Sequence, residues 1–188
     1  MGGTSRHQGG TSHFSILDEH GNAVGVTTTI GQGAGHFIPG TGIILNNMLG
    51  ELALLPQGLH NWTPNARLGS MMTPSIVLDA QKQAEIVLGT GGAGRIPFML
   101  AQVIHQIVDQ GMDIHEAVEA PRLHIIDDVC NLEPDLPDTA ALPDGVTARP
   151  WQKRSLYFGG VHAVMRKGID LQAQGDTRRG GVIRGVGI

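Results

Sequence analysis

The 188-residue sequence predicts an α+β fold, a mixed sheet with helices on one of its faces. Three observations predict it: short β-type segments come in pairs that read as hairpins, a pair of helical segments follows them, and no β-α-β alternation is present.

Residues 13–17 (HFSIL) and 23–30 (AVGVTTTI) read as strands flanking the turn-forming run Asp18-Glu19-His20-Gly21-Asn22. The glycine-rich stretch 31–42 leads to a short apolar strand, Ile43-Ile44-Leu45, and 48–69 read mostly as loop, with Pro56, Pro64 and several asparagines. Residues 75–78 and 85–88 form a second hairpin around 79–83. The clearest helix follows, with Ile96, Met99, Leu100, Val103, Ile104, Ile107 and Val108 on one face and Gly111 as its C′ residue. Asp113 is placed to cap a short second helix, with Glu116 as capping-box partner and Pro121 closing it. Residues 123–126 read as a strand, and 127–158 as irregular, proline- and acid-rich chain. Two last strands, 160–165 and 169–173, flank Arg166-Lys167-Gly168, and 175–188 read as an irregular tail. The pattern is that of one domain without a linker.

Composition excludes several classes of function. No apolar run approaches the ~20 residues of a membrane span, and a net charge of −4 argues against nucleic acid, whose phosphates need a basic surface. The single cysteine, Cys130, allows neither a disulfide framework nor a Cys-rich zinc site. Nine histidines show neither an HExxH nor an i, i+4 pairing, so no metal and no cofactor is expected. The first ten residues lack the apolar core of a secretory signal. The expected compartment is therefore the cytoplasm if no leader lies upstream, and otherwise the periplasm or the exterior.

Glycine is the outlier: 28 residues, about twice the usual ~7%. One cluster, Gly89-Thr90-Gly91-Gly92-Ala93-Gly94, fits GxGxxG between a strand and a helix. That pattern is compatible with a dinucleotide site, but the following strand with its acidic residue is missing, and Arg95 in place of Lys-Ser/Thr excludes a P-loop. The same loop can serve as an oxyanion hole, its backbone N–H groups aimed at developing negative charge at a helix N-terminus. Such a hole requires a nucleophile elsewhere in the chain.

Thr11, in Gly9-Gly10-Thr11-Ser12-His13, stands ahead of a strand, where an ordinary strand-start threonine fits equally well. Further stretches follow in order: Thr27-Thr28-Thr29-Ile30, Gly42-Ile43-Ile44-Leu45-Asn46-Asn47, Ser70-Met71-Met72-Thr73-Pro74-Ser75, the loop 89–95, and Glu116-Ala117-Val118-Glu119-Ala120-Pro121-Arg122-Leu123-His124. Gly159-Gly160-Val161-His162 and Asp176-Thr177-Arg178-Arg179-Gly180 complete the set. From about residue 9 to 186 the sequence resembles the small, catalytic subunit of γ-glutamyltransferases (glutathione hydrolases).

The resemblance implies an Ntn-hydrolase αββα sandwich, this chain supplying the small-subunit half. Residues 1–10 would be a residual precursor segment and 11–188 the small-subunit domain, after autocatalytic cleavage of a zymogen between Gly10 and Thr11. Thr11 would be the nucleophile, its freed α-amine the base. Thr29 matches the threonine that hydrogen-bonds the nucleophile, and Gly92 and Ala93 match the oxyanion-hole pair. Ser70 matches the first serine of a carboxylate-binding pair, and Glu51 the acidic residue that holds the substrate ammonium. A large subunit of the same precursor would complete a heterodimer and supply an arginine. The implied substrate is a γ-glutamyl amide such as glutathione, taken through an acyl-enzyme to hydrolysis or transpeptidation, without a cofactor.

Three positions depart from the family pattern. Gly31 stands for an asparagine, Met48 for a polar residue, and Met71 for the second serine of the substrate-binding set. Each removes a hydrogen-bonding partner for the substrate, so a related acylase with a non-glutamyl acyl donor is a second reading. A silent or unprocessed fragment, acting only as structural partner of a large subunit, is a third.

Overall fold

A computed structural model describes residues 10–136 and 142–185. Residues 1–9 of the expected precursor segment, part of the stretch expected to be irregular (137–141) and the last three residues of the tail lie outside the described residues.

The chain runs through β1 (Thr11–Leu17), β2 (Ala23–Thr29), β3 (Ser75–Leu78), β4 (Ala84–Gly89), α1 (Ile96–Val108), α2 (Ile114–Glu119), β5 (Leu123–Ile126), β6 (Val129–Leu132), β7 (Thr147–Pro150), β8 (His162–Lys167) and β9 (Asp170–Gly175). The central sheet has the order β3-β4-β8-β9 and is antiparallel throughout. The expected mixed sheet is thus corrected: the parallel strand pairing seen among the described residues, β6 with β7, belongs to a separate three-stranded sheet.

Alternation along β4 and β8 fixes the layers. Ile86 and Leu88 with Ala163 and Met165 face α1 and α2, where they join Ile96, Leu100, Val103, Ile107, Ile114, Ala117 and Val118 in the main core. Val87 and Val164 point to the opposite face and meet Leu17 of the β1–β2 hairpin. A period of two puts successive side chains on opposite faces, so the same two strands serve both cores. The result is helix layer, central sheet, hairpin layer.

Pro97 stands in the first turn of α1, where a missing N–H costs nothing. Gly111, expected as the C′ residue, lies one position beyond it, since the helix is capped at Asp109, and has φ +68°. Asp113 caps α2 by accepting the His115 N–H at 2.9 Å.

His13 seats the hairpin on the sheet. Its ring lies over Gly89, where any Cβ would collide with it. Ser15 Oγ donates to the His162 carbonyl at 3.2 Å, so it accepts from His13 Nε2 at 2.8 Å. The proton therefore sits on Nε2, and Nδ1 accepts from Thr27 Oγ1 at 2.7 Å. Burial, helped by repulsion from His162, holds the His13 pKa down at about 4.

Four sequence expectations are revised. Ile43-Ile44-Leu45 is not a strand: one bridge, Phe37 to Ile44, closes a loop whose Gly40 and Gly42 have φ +77° and +68°. β1 starts at Thr11, two residues before the expected strand. β8 lies two residues later than expected, and β9 starts one residue and ends two residues later, the pair turning at Gly168-Ile169. Within 127–158, β6 forms against β5 and β7 against β6. β7 is exposed along its whole length and joins its neighbour only by a non-local parallel pairing, so it leaves no periodic trace.

Candidate active site

A cleft of about 270 Å³ opens where β1 begins, at the junction of the hairpin, the glycine loop after β4, and the segments around 48–51 and 70–72. Antiparallel register sets Thr11 opposite Thr29. Their hydroxyl oxygens are 2.9 Å apart. Thr29 Oγ1 also accepts the Gly31 N–H at 3.0 Å, which leaves its own proton available for Thr11 Oγ1.

Every residue singled out from the sequence as catalytic or substrate-binding lines this cleft: Thr11, Thr29, Gly31, Met48, Glu51, Ser70, Met71, Gly92 and Ala93. The glycine at 31 is sterically coupled to Glu51. With φ +62°, any Cβ on it would meet Glu51 Oε1, and Met48 Sδ lies 3.3 Å from the same point. The carboxylate thus occupies the space from which an asparagine side chain would start. Ser70 Oγ accepts the Met72 N–H at 3.1 Å, while Met71 and Met72 lean on the helix-side core.

The glycine loop turns sharply before α1, with φ +147° at Gly92 and +53° at Ala93. Ala93–Arg95 forms a 3₁₀ turn that runs directly into the helix. N–H groups at a helix start have no carbonyl within the helix, so this turn offers donors beside the two hydroxyls.

Sequence reasoning missed two cations in the cleft wall, Arg95 and Arg179. Arg95 had served only to exclude a P-loop, and Arg179 only as part of a tail motif. Arg95 Nε donates to the Tyr157 carbonyl at 2.7 Å, and its guanidinium lies 4.3 Å from the centre of that ring. Trp151 stacks on the same Tyr157 ring, with centroids 4.8 Å apart. Arg179 Nη1 donates to the Thr11 carbonyl at 3.3 Å. Burial, then repulsion from Arg95, lowers the Arg179 pKa from its ordinary value. Glu51 lines the same cleft, so charges of both signs border it. A basic tail next to a Gly-Gly pair was the available signal, but only the fold brings residue 179 to residue 11.

Behind the cleft lies a buried network of four charges. Arg122 pairs with Asp176 at 2.8 Å, and Arg178 with Glu133 at 2.6 Å and Asp176 at 3.2 Å, all with fully buried side chains. Arg178 also donates to the carbonyls of Val118 and Ala120, and Asp176 accepts the Val161 N–H. Charges of opposite sign are equal in number, and the carboxylates are met by backbone N–H groups as well, the condition under which buried ions are tolerated. The network locks the tail turn Thr177–Arg179 against the end of α2 and so presents Arg179 to the cleft.

Among the described residues no group of three or more His, Cys, Asp or Glu side chains is placed to hold a metal ion. No helix there is long and apolar enough to cross a membrane.

The sequence matches the gamma-glutamyltranspeptidase family over residues 2–186. It is 32% identical over 185 residues to the glutathione hydrolase 5 proenzyme of Mus musculus, covering 94% of this chain and 32% of that protein. It is 40% identical over 119 residues to the glutathione hydrolase proenzyme of Bacillus subtilis (strain 168), covering 62% of this chain and 20% of the relative. The chain thus spans a third or less of the length of these curated relatives. In structure it is similar to the gamma-glutamyltranspeptidase from Pseudomonas nitroreducens complexed with L-DON, with TM-score 0.73, 29% identity, and coverage of 94% of this chain and 97% of that one. The helix–sheet–hairpin layering is accordingly that of an Ntn-hydrolase fold. By its sequence along nearly its whole length, and by its fold, this chain belongs to the γ-glutamyltranspeptidase family.

Proposed function

We propose that this chain is the nucleophile-bearing part of an amidohydrolase/acyltransferase acting on γ-glutamyl amides such as glutathione, with Thr11 as N-terminal nucleophile. The observation that carries the reading is the 2.9 Å contact between the Thr11 and Thr29 hydroxyls beside the glycine turn, inside the cleft. Residues 1–10 are then a precursor segment, 11–188 the small-subunit domain, and the partner a large subunit cut from the same precursor. Family membership and the proenzyme names of the relatives support that division.

The chemistry follows from the groups present. Chain cleavage between Gly10 and Thr11 frees an α-amine of ordinary pKa ~7.7–8, suited to general-base duty near neutrality. The amine takes the Thr11 hydroxyl proton as Oγ1 attacks the amide carbon, and Thr29 orients the attacking oxygen. The N–H groups of Gly92 and Ala93 meet the negative charge on the former carbonyl oxygen. The ammonium proton passes to the leaving amine, the C–N bond breaks, and an ester on Thr11 remains. Water gives hydrolysis, and an incoming amine gives transpeptidation.

Glu51 is suited to the substrate ammonium and Ser70 to its carboxylate. Gly31, Met48 and Met71 supply no side-chain hydrogen bond there. That thinning favours a second reading for the donor alone, an acyl group other than γ-glutamyl.

Intact mass tests the reading. The matured protein should show this chain starting at Thr11, and a γ-glutamyl substrate should add one acyl group to it. Thr11→Ala should abolish cleavage, adduct and turnover. Full turnover by Thr11→Ala in a pre-cut form would refute the mechanism, and an intact, inactive chain that still binds a large subunit would indicate a structural partner only.

A further inference from the structure

The γ-glutamyl transfer read above does not use Arg179, yet the fold is shaped around it. Its stem lies against Gly160, where a Cβ would run into Cβ, Cγ and Cδ of the arginine, and its Cζ and Nη1 are 3.0 Å from where a Cβ of Gly91 would stand. Glycine at both places is what lets the side chain through. Nε is buried without a partner, and among the described residues no carboxylate forms an ion pair with this guanidinium. The buried network fixes the backbone beneath it: the Arg179 N–H donates to the Asp176 carbonyl at 3.2 Å, and Arg178 is held by Glu133 and Asp176. Among the described residues this confined, partly buried guanidinium makes one hydrogen bond, to the carbonyl of Thr11 at 3.3 Å.

We propose that Arg179 is a positioning residue for the Thr11 reaction: it anchors the Thr11 carbonyl, and its charge keeps the α-amine of matured Thr11 unprotonated at neutral pH. The proposal rests on Thr11 being the N-terminal nucleophile.

The amine and the carbonyl of Thr11 hang from one Cα, so a cation bonded to the carbonyl stands roughly 4–6 Å from the amine. A like charge at that range disfavours the ammonium and lowers its pKa by about one unit or more. An ordinary α-amine, at ~7.7–8, is mostly protonated at pH 7 and cannot accept the hydroxyl proton. Lowered by about one unit, it is mostly free.

Other charges face the same point. Arg95 on the cleft wall acts in the same sense as Arg179, and Glu51, which lines the same cleft, acts against it. His13 and His162 lie between hairpin and sheet, and both are held toward the neutral form, first by burial. Asp176 is engaged by Arg122 and Arg178. Arg179 is the charge among these that is hydrogen-bonded to Thr11 itself.

The test uses the full-length protein, matured and assembled, and the rate of γ-glutamyl-4-nitroanilide turnover as a function of pH. For Arg179→Met the acid limb of kcat/KM should move toward alkaline pH by about one unit, whereas Arg179→Lys, which keeps the charge, should leave it within a few tenths. A pre-cut form, with this chain starting at Thr11, removes any dependence on self-cleavage. A direct titration of the wild-type amine, by its rate of carbamylation with cyanate against pH, needs no variant and should give a pKa near or below 7. An unmoved acid limb in Arg179→Met, or a wild-type amine titrating at ~7.7–8, overturns the proposal. Intact mass in the same samples separates the two claims: an acyl adduct absent from Thr11 refutes the nucleophile assignment, and Arg179's role falls with it.

Discussion

Thr29 carries two hydrogen bonds through a single oxygen, one to the Thr11 hydroxyl and one from the Gly31 N–H. Thr29→Val keeps the shape of the side chain and removes both. A lost hydrogen bond costs about 0.5–1.5 kcal/mol, and here it acts on the oxygen we propose as nucleophile, so kcat should fall roughly tenfold with KM little changed. Steady-state kinetics of the assembled protein checks this. Gly91 is the second sensitive position. A methyl group there would stand 2.8 Å from the Thr11 carbonyl and 3.0 Å from the Arg179 guanidinium. Gly91→Ala should therefore separate the two, at an overpacking cost of about 1–3 kcal/mol. Expected are a lower melting temperature and a larger loss of kcat than Thr29→Val. Activity equal to wild type would place no close approach there.

The hairpin is the element whose seating decides whether Thr11 meets the glycine loop. His13 joins it to the sheet as a neutral ring, with both nitrogens bonded and a pKa of about 4 against an ordinary 6.5. The unfolded chain binds a proton near 6.5, and the folded one only near 4. The contribution of His13 to stability is thus complete above pH 6.5, declines as pH falls toward 4, and is lost below that. At 1.36 kcal/mol per unit the shift from 6.5 to about 4 makes the loss on the order of 3 kcal/mol. Urea denaturation at pH 7 and pH 4.5 should show this fall in the wild type and a distinctly smaller one in His13→Asn. Equal pH dependence in the two proteins would contradict the assignment. The helices and both long hairpins were legible in the sequence, because each carries a period, a cap or a turn. β7 was not, because its pairing with β6 is non-local and its exposed face leaves no hydrophobic alternation; nor was β6, a four-residue strand inside a stretch that reads as irregular.

At the scale of the whole molecule, the buried charge network ties three distant stretches together, the end of α2, the β5–β6 hairpin and the tail turn. Arg122→Met leaves Asp176 buried with half of its compensation removed. Breaking such a pair by deleting one partner costs about 3–5 kcal/mol. The chemical denaturation midpoint should drop accordingly, and the tail that carries Arg179 should loosen with it, seen as faster amide exchange in 176–181. Unchanged stability would show that the network is dispensable.

Sequence alone singled out the candidate chemistry-bearing residues, a threonine at the head of a strand, its threonine partner and the glycine loop between strand and helix, and carried the ordered motifs that place the chain in its family. These are local patterns, and local patterns survive in one dimension. Tertiary structure alone decided that residues as far apart as 11, 29, 51, 70 and 92 line one cleft, and that Arg179 reaches the Thr11 carbonyl across the fold. Those facts depend on which strands pair and which layers stack, and on four buried charges that hold the tail in place. Contacts of that kind follow from closure of the whole chain and leave no mark in the spacing of its residues.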